Sequence, residues 1–181
     1  MKFYTKSYLS DLSESRRKGT KTFSSALNEN KNRTHFDIFL SHSFKDKKYI
    51  AGLYLELTSK GYSVYVDWII DPHFQRDNVT KDTVNKIRLR MKQSKSLIYA
   101  TSENASNSKW MPWELGFMDG DKGRCAILPI TDYENDTFKG QEFLSVYPLV
   151  TKGSNIYYDS DLNIQLSTFS SKEMKSWMNF Y

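Results

Sequence analysis

Four short apolar runs separated by stretches of helical periodicity constrain this chain more than any other feature of its sequence. The first, Phe36-Asp37-Ile38-Phe39-Leu40-Ser41-His42-Ser43, turns polar only at its end, as a buried parallel strand does where it leaves a sheet. Ser43 is placed to cap the next helix, with Asp46 as its acidic partner. That helix runs to about Lys60, with Ile50, Leu53, Tyr54 and Leu57 on its inner face and Gly61 as its stop. Tyr62–Asp67 is a second strand, followed by Trp68 and a loop to about Thr80. Asp82 to Gln93 reads as a helix with Val84, Ile87 and Met91 inward and Lys86, Arg88, Arg90 and Lys92 outward. Ser96–Thr101 and Arg124–Pro129 are the third and fourth strands, and Pro129 suits a strand end. Phe143–Val150 is a candidate fifth strand and Asn155–Tyr158 a further extended piece. Ser170 with Glu173 gives a capping box for a last helix that turns Met174, Trp177 and Met178 inward. Such alternation specifies an α/β fold, a mostly parallel sheet of about five strands flanked by helices.

This architecture also says where chemistry belongs, because ligands of open α/β sheets bind at the carboxyl ends of the strands. Ser41-His42-Ser43, Asp67-Trp68 and Thr101-Ser102 all leave strands at that edge. The segment Ser108-Lys109-Trp110-Met111-Pro112-Trp113-Glu114-Leu115 starts a helix there, with Pro112 suited to its first position and Glu114 in its first turn. Two readings of that segment stand side by side. A carboxylate beside aromatic faces can hold a flat, cationic, sugar-bearing ligand. Equally, the Glu can offset the helix dipole and the tryptophans can pack in the core. His35, His42 and His73 have no metal-ligand spacing with one another or with Cys125, so no metal is expected. No Gly-rich dinucleotide fingerprint or Walker loop occurs.

The net charge of +5 is unevenly placed. Residues 1–35 hold eight Lys/Arg against three Asp/Glu, whereas the rest of the chain holds 18 of each sign. Residues 1–34 therefore read as a basic polar arm in front of a domain at 35–181, with Tyr4, Tyr8, Leu9 and Leu12 able to form a short helix that packs on it. Ordered structure is expected from Phe36. A solvated leader accounts for the arm better than nucleic-acid binding does, because no basic stripe continues into the domain. No apolar run approaches the ~20 residues of a membrane span. The Ser/Lys/Arg-rich start has no apolar core, so it does not read as a secretory signal. The single cysteine, Cys125, excludes an internal disulfide and fits a reducing, cytoplasmic setting.

Taken together, the box from Phe36 to Ser43 with Asp46, the strand Tyr62–Asp67 with its following loop, and Ser108-x-Trp110-x-x-x-Glu114-Leu115 resemble Toll/interleukin-1 receptor (TIR) domains of the bacterial NAD-cleaving type. The resemblance covers residues 36–130 well, and the last fifty residues only by order of elements. It implies a flavodoxin-like TIR fold and makes Glu114 the catalytic glutamate. It places Ser41, His42, Ser43, Phe44, Asp67, Trp68, Ser108 and Trp110 along the nucleotide crevice. Met111 stands where the family usually has Cys, which removes any role for that thiol. The loop from Trp68 to Thr80 lacks the common Gly/Pro-rich pattern, so assembly through it is weakly implied. NAD+ would be a substrate rather than a cofactor. Stand-alone proteins of this kind resemble the TIR component of the bacterial Thoeris anti-phage system, which would imply a product that signals to a separate effector. A different class of function stays open: a non-catalytic interaction module acting through self-association or TIR–TIR assembly.

Overall fold

A computed structural model describes residues 2–18, 33–73, 79–134, 136, 140–152, 155–158, 167–168 and 177–178. Its elements are β1 (Tyr4–Thr5), α1 (Lys6–Lys18), β2 (Phe36–His42), α2 (Lys47–Ser59), β3 (Val64–Tyr65), α3 (Asp67–Ile70), α4 (Lys81–Lys92), β4 (Ser94–Thr101), α5 (Trp110–Lys122), β5 (Cys125–Thr131), β6 (Leu149–Thr151), β7 (Asn155–Tyr158) and β8 (Ser167–Thr168). The strands lie in the order β3-β2-β4-β5-β6-β7-β8. Pairing is parallel from β3 to β6 and antiparallel from β6 to β8. Buried on both faces, β2 and β4 supply Ile38, Phe39, Leu40, Leu97, Ile98 and Tyr99, each at most 1% exposed.

The inner face of α2 is the expected one: Ile50, Leu53, Tyr54 and Leu57 are all fully buried. Its start is not. Phe44–Asp46 forms a 3-10 turn before the helix, and Ser43 caps through its backbone carbonyl, which accepts from Asp46 N–H at 3.0 Å. The Asp46 carboxylate instead accepts from Ser102 Oγ (2.6 Å) and Asn104 Nδ2 (2.7 Å), tying the loop after β4 to the end of β2. Helix α4 begins one residue earlier than expected, in a capping box between Thr80 and Thr83. Arg90 is not a solvent-facing residue. It grips Asp71, just past α3, through Nε and Nη2 at 2.8 Å each, and Tyr65 Oη donates to the same carboxylate at 3.0 Å. Burial pushes the Asp71 carboxyl up, but Arg90, Tyr65 and Lys86 outweigh it and hold it below the usual carboxylate range.

Two departures concern the ends of the sheet. Phe143–Val150 is not one strand: Glu142–Val146 is a 3-10 turn, and only Leu149–Thr151 joins the sheet. Leu144 alone of that turn points inward, while Phe143 and Val146 are exposed. The capping box at Ser170 and Glu173 and residue Met174 lie outside the described residues, whereas Met178 is buried against the core. Ordered structure begins well before Phe36. Tyr4 and Thr5 pair with Ile130 and Thr131 in the last part of β5, which runs two residues beyond Pro129. Helix α1 lies on α2, where Gly52 makes room for the backbone of Leu9. Tyr4 and Leu9 are fully buried, and Lys6 bridges Glu103 (2.7 Å) and Asp132 (3.1 Å). Residues 2–18 are thus built into the body, and two of the arm's cations, Lys2 and Lys6, face carboxylates of that body.

Asp71 yields a pH prediction. Its folded-state pKa is depressed, so its stabilising contribution is complete above the ordinary carboxylate pKa of about 4 and is lost as pH falls through the lower folded value. Urea midpoints measured between pH 6 and 2 are expected to drop on acidification below about pH 4, and less steeply in Arg90→Met. An equal slope in that variant would mean the pair contributes nothing.

Candidate active site at the carboxyl edge of the sheet

Alternation along β2 sends its odd and even residues to opposite faces. Phe39 and Ser41 share the face of Tyr65, whose ring stacks on Phe39 and whose hydroxyl meets Asp71 beside α4. Helix α5 covers the same face, and there Ser41 Oγ donates to Glu114 Oε2 at 2.6 Å. Both residues are 0% exposed. Glu114 therefore stands at the strand ends as expected, but its carboxylate is closed to solvent.

The helix carrying it starts earlier than its sequence suggests. Trp110 is the first residue of α5, so Pro112 is third and Glu114 opens the second turn instead of lying in the first. Pro112 costs no hydrogen bond at that position, because the first four N–H groups of a helix have no intrahelical acceptor. Ser108 Oγ accepts from Met111 N–H at 3.3 Å, and Met111 is fully buried in the core. The Trp110 ring meets Trp113 edge-on, with centroids 5.6 Å apart, and Trp113 lies against Phe117 at 6.0 Å. These half-buried rings make a stripe along α5, with the Arg88 guanidinium 5.7 Å from Trp113.

The even-numbered end of β2 builds a second group. Trp68 Nε1 donates to His42 Nε2 at 3.0 Å, and His42 Nδ1 lies 2.8 Å from the Leu40 carbonyl. An indole N–H can only donate, so Nε2 is the acceptor and Nδ1 carries the proton, donated to Leu40. Asp67 Oδ1 sits 3.6 Å from the same Nε2. Trp68 and Asp67 belong to the short helix α3 and not to an open loop. Phe44 is 65% exposed, with the Lys47 ammonium 3.7 Å over its ring and 5.4 Å from the ring of Trp68. Ser43 is buried.

The expected residues thus divide. Ser41 and Glu114 touch; His42, Asp67 and Trp68 form one cluster, with Lys47 linking Trp68 to Phe44; Ser108 and Trp110 frame the start of α5. Lys47, Asp46 and Tyr99 were not expected at this edge. Lys47 carries no motif. Asp46 was read as a cap, and Tyr99 as one apolar residue of a strand. Burial pushes the Cys125 thiol up to about 12, with the charge of Asp119 adding to it, so it is no nucleophile at neutral pH. Among the described residues, no helix is long and apolar enough to cross a membrane.

Comparison with known proteins places this geometry. Over 131 residues the chain is 50% identical to the "Probable 3' cyclic ADP-D-ribose synthase ThsB'" of Bacillus cereus (strain MSX-D12), covering 71% of this chain and 67% of that protein. It is 28% identical over 124 residues to the "Putative cyclic ADP-D-ribose synthase TIR2" of Cytobacillus dafuensis, covering 61% of this chain and 32% of that one. The chain thus spans about a third of the length of the second relative. Among solved structures, the TIR domain of the Toll-related receptor TRR-2 of Hydra magnipapillata aligns with a TM-score of 0.44 at 17% identity, covering 61% of this chain and 78% of that one. A family model described as TIR domain matches residues 38–151, from the middle of β2 to the end of β6. The chain belongs to the TIR domain family.

Proposed function

We propose that this chain cleaves NAD+ between nicotinamide and ribose, with Glu114 as the catalytic carboxylate, and leaves an ADP-ribose-derived product. The observation that carries this reading is the 2.6 Å hydrogen bond from Ser41 to Glu114. It fixes a single carboxylate at the strand ends, where α/β sheets take ligands. The half-identical relative is named a cyclic ADP-ribose synthase, which supports the same chemistry here.

Little else is required of the site. Nicotinamide is already cationic in NAD+ and departs neutral, so no general acid is needed. A carboxylate can accept hydrogen bonds from the ribose hydroxyls and stabilise the positive charge of an oxocarbenium-like transition state. NAD+ is consumed in this scheme and is not a resident cofactor. Phe44 and Trp68 offer ring faces at this edge and Ser108 a hydroxyl, while Ser43, His42 and Asp67 are buried and meet a ligand only once the edge opens. Since Glu114 has no accessible surface, the packing over it must open before the ribose takes over the hydrogen bond from Ser41. By its resemblance to the Thoeris component, the product is a signal read by a separate effector in anti-phage defence.

The burial of Glu114 also favours a second reading, a non-catalytic module that acts by assembling with other TIR domains. Incubation of the purified chain with NAD+, at rising protein concentration, separates the two. Nicotinamide release, with mass spectrometry of the remainder, is the expected result: a cyclic isomer is one water lighter than ADP-ribose. Intact NAD+ at every concentration, including those at which the chain self-associates, would leave the assembly module.

A further inference from the structure

Tyr99 is an anomaly beside Glu114. It lies in the centre of β4, 0% exposed, and its hydroxyl has no hydrogen-bond partner among the described residues. A buried hydroxyl left unsatisfied costs about 1–3 kcal/mol, and phenylalanine would fill the same volume without that cost. Packing alone therefore does not account for tyrosine here. Register says what the ring is next to. Tyr99 pairs with Ser41 across the parallel β2–β4 ladder, and paired residues point to one face. That is the face on which Ser41 donates to Glu114, and the Glu114 charge acts on the Tyr99 phenol.

Resting on the NAD-cleaving reading above, we propose that Tyr99 is a positioning residue for Glu114, whose spare hydroxyl donates to the carboxylate once the substrate ribose displaces Ser41. In the closed structure Ser41 occupies Glu114 Oε2. When that bond is exchanged for ribose, a further fixed donor keeps the buried carboxylate aimed. A phenol on the same face, drawn from the rigid centre of the sheet, supplies one without ordering cost. The phenol also remains a donor throughout the working range, since burial first and the Glu114 charge second push it up to about 12.

Tyr99→Phe tests this. The expected result is a melting temperature equal to or above that of the wild type, with kcat for nicotinamide release down about 10- to 100-fold and KM for NAD+ changed less than about twofold. An idle hydroxyl would give the same stability with unchanged kcat, and a structural hydroxyl would lower the melting temperature; either overturns the proposal. A second readout needs no turnover. With 13C-tyrosine labelling, the Tyr99 Cζ resonance, assigned by its loss in Tyr99→Phe, should move on addition of ADP-ribose in the wild type and not in Glu114→Ala, which leaves no acceptor there. Binding of ADP-ribose that shifts other resonances but leaves this one in place overturns the role of Tyr99. A chain that neither binds ADP-ribose nor releases nicotinamide overturns the NAD-cleaving reading instead.

Discussion

Glu114→Gln is expected to lower nicotinamide release from NAD+ by about 10²–10³-fold, the usual loss when one preorganised electrostatic contact to a developing charge is removed. The change is close to isosteric, and an amide oxygen still accepts from Ser41 Oγ, which now holds the carboxylate at 2.6 Å. What disappears is the negative charge facing the ribose. The variant should still fold, because side-chain size and the acceptor for Ser41 Oγ are both kept. Chromatographic assay of nicotinamide together with a thermal melt therefore has a distinctive expected pattern: activity lost and a cooperative melt retained. A variant that keeps the wild-type rate would remove Glu114 from the chemistry, and with it the enzymatic reading.

The second large effect is on stability. Gly52 lies in the middle of α2, where alanine is ordinarily better than glycine by about 1 kcal/mol. Here the sign should reverse. A Cβ on Gly52 would overlap the Leu9 carbonyl oxygen and lie 2.8 Å from the Leu9 carbonyl carbon. Both are backbone atoms of α1, so no rotamer change relieves the clash, and the helix itself must move away. Overpacking of this kind typically costs about 1–3 kcal/mol, here on top of losing the buried contacts of Leu9. Gly52→Ala should lower the melting temperature by roughly 2–4 °C for each kcal/mol lost and open α1 to proteolysis. Gly116→Ala is the matched control: with nothing within 4 Å of the new methyl, it should stabilise. If both variants behave alike, the Leu9 backbone of α1 does not sit against Gly52 of α2.

How much of this was legible in the chain depended on the range of the forces involved. The inner face of α2 could be read directly, since Ile50, Leu53, Tyr54 and Leu57 repeat at helical spacing and all are buried. That Ser41 and Glu114 share one edge followed from the order of strands and helices, but the hydrogen bond between them did not. Three things were not local. The two residues of β1 are too few to show alternation, and their partners, Ile130 and Thr131, lie past a proline that reads as a strand end. Phe143–Val146 has the composition of a strand, but only Leu144 finds a place in the core, so a turn forms instead. The closure of Glu114 under α5 is a packing result, and no pattern of residue types encodes it.

The pairing of β1 with β5 also bears on how the molecule acquires its shape. Tyr4 finds its partner only at Ile130, after five helices and three strands of the described residues have intervened. During synthesis the earliest residues must wait, unpaired, until most of the chain has left the ribosome, and closing so wide a loop is slow. Until then Tyr4, fully buried in the finished protein, remains exposed to neighbouring chains. Docking of the N-terminal segment should therefore be a late event, and the step most vulnerable to crowding between half-made copies.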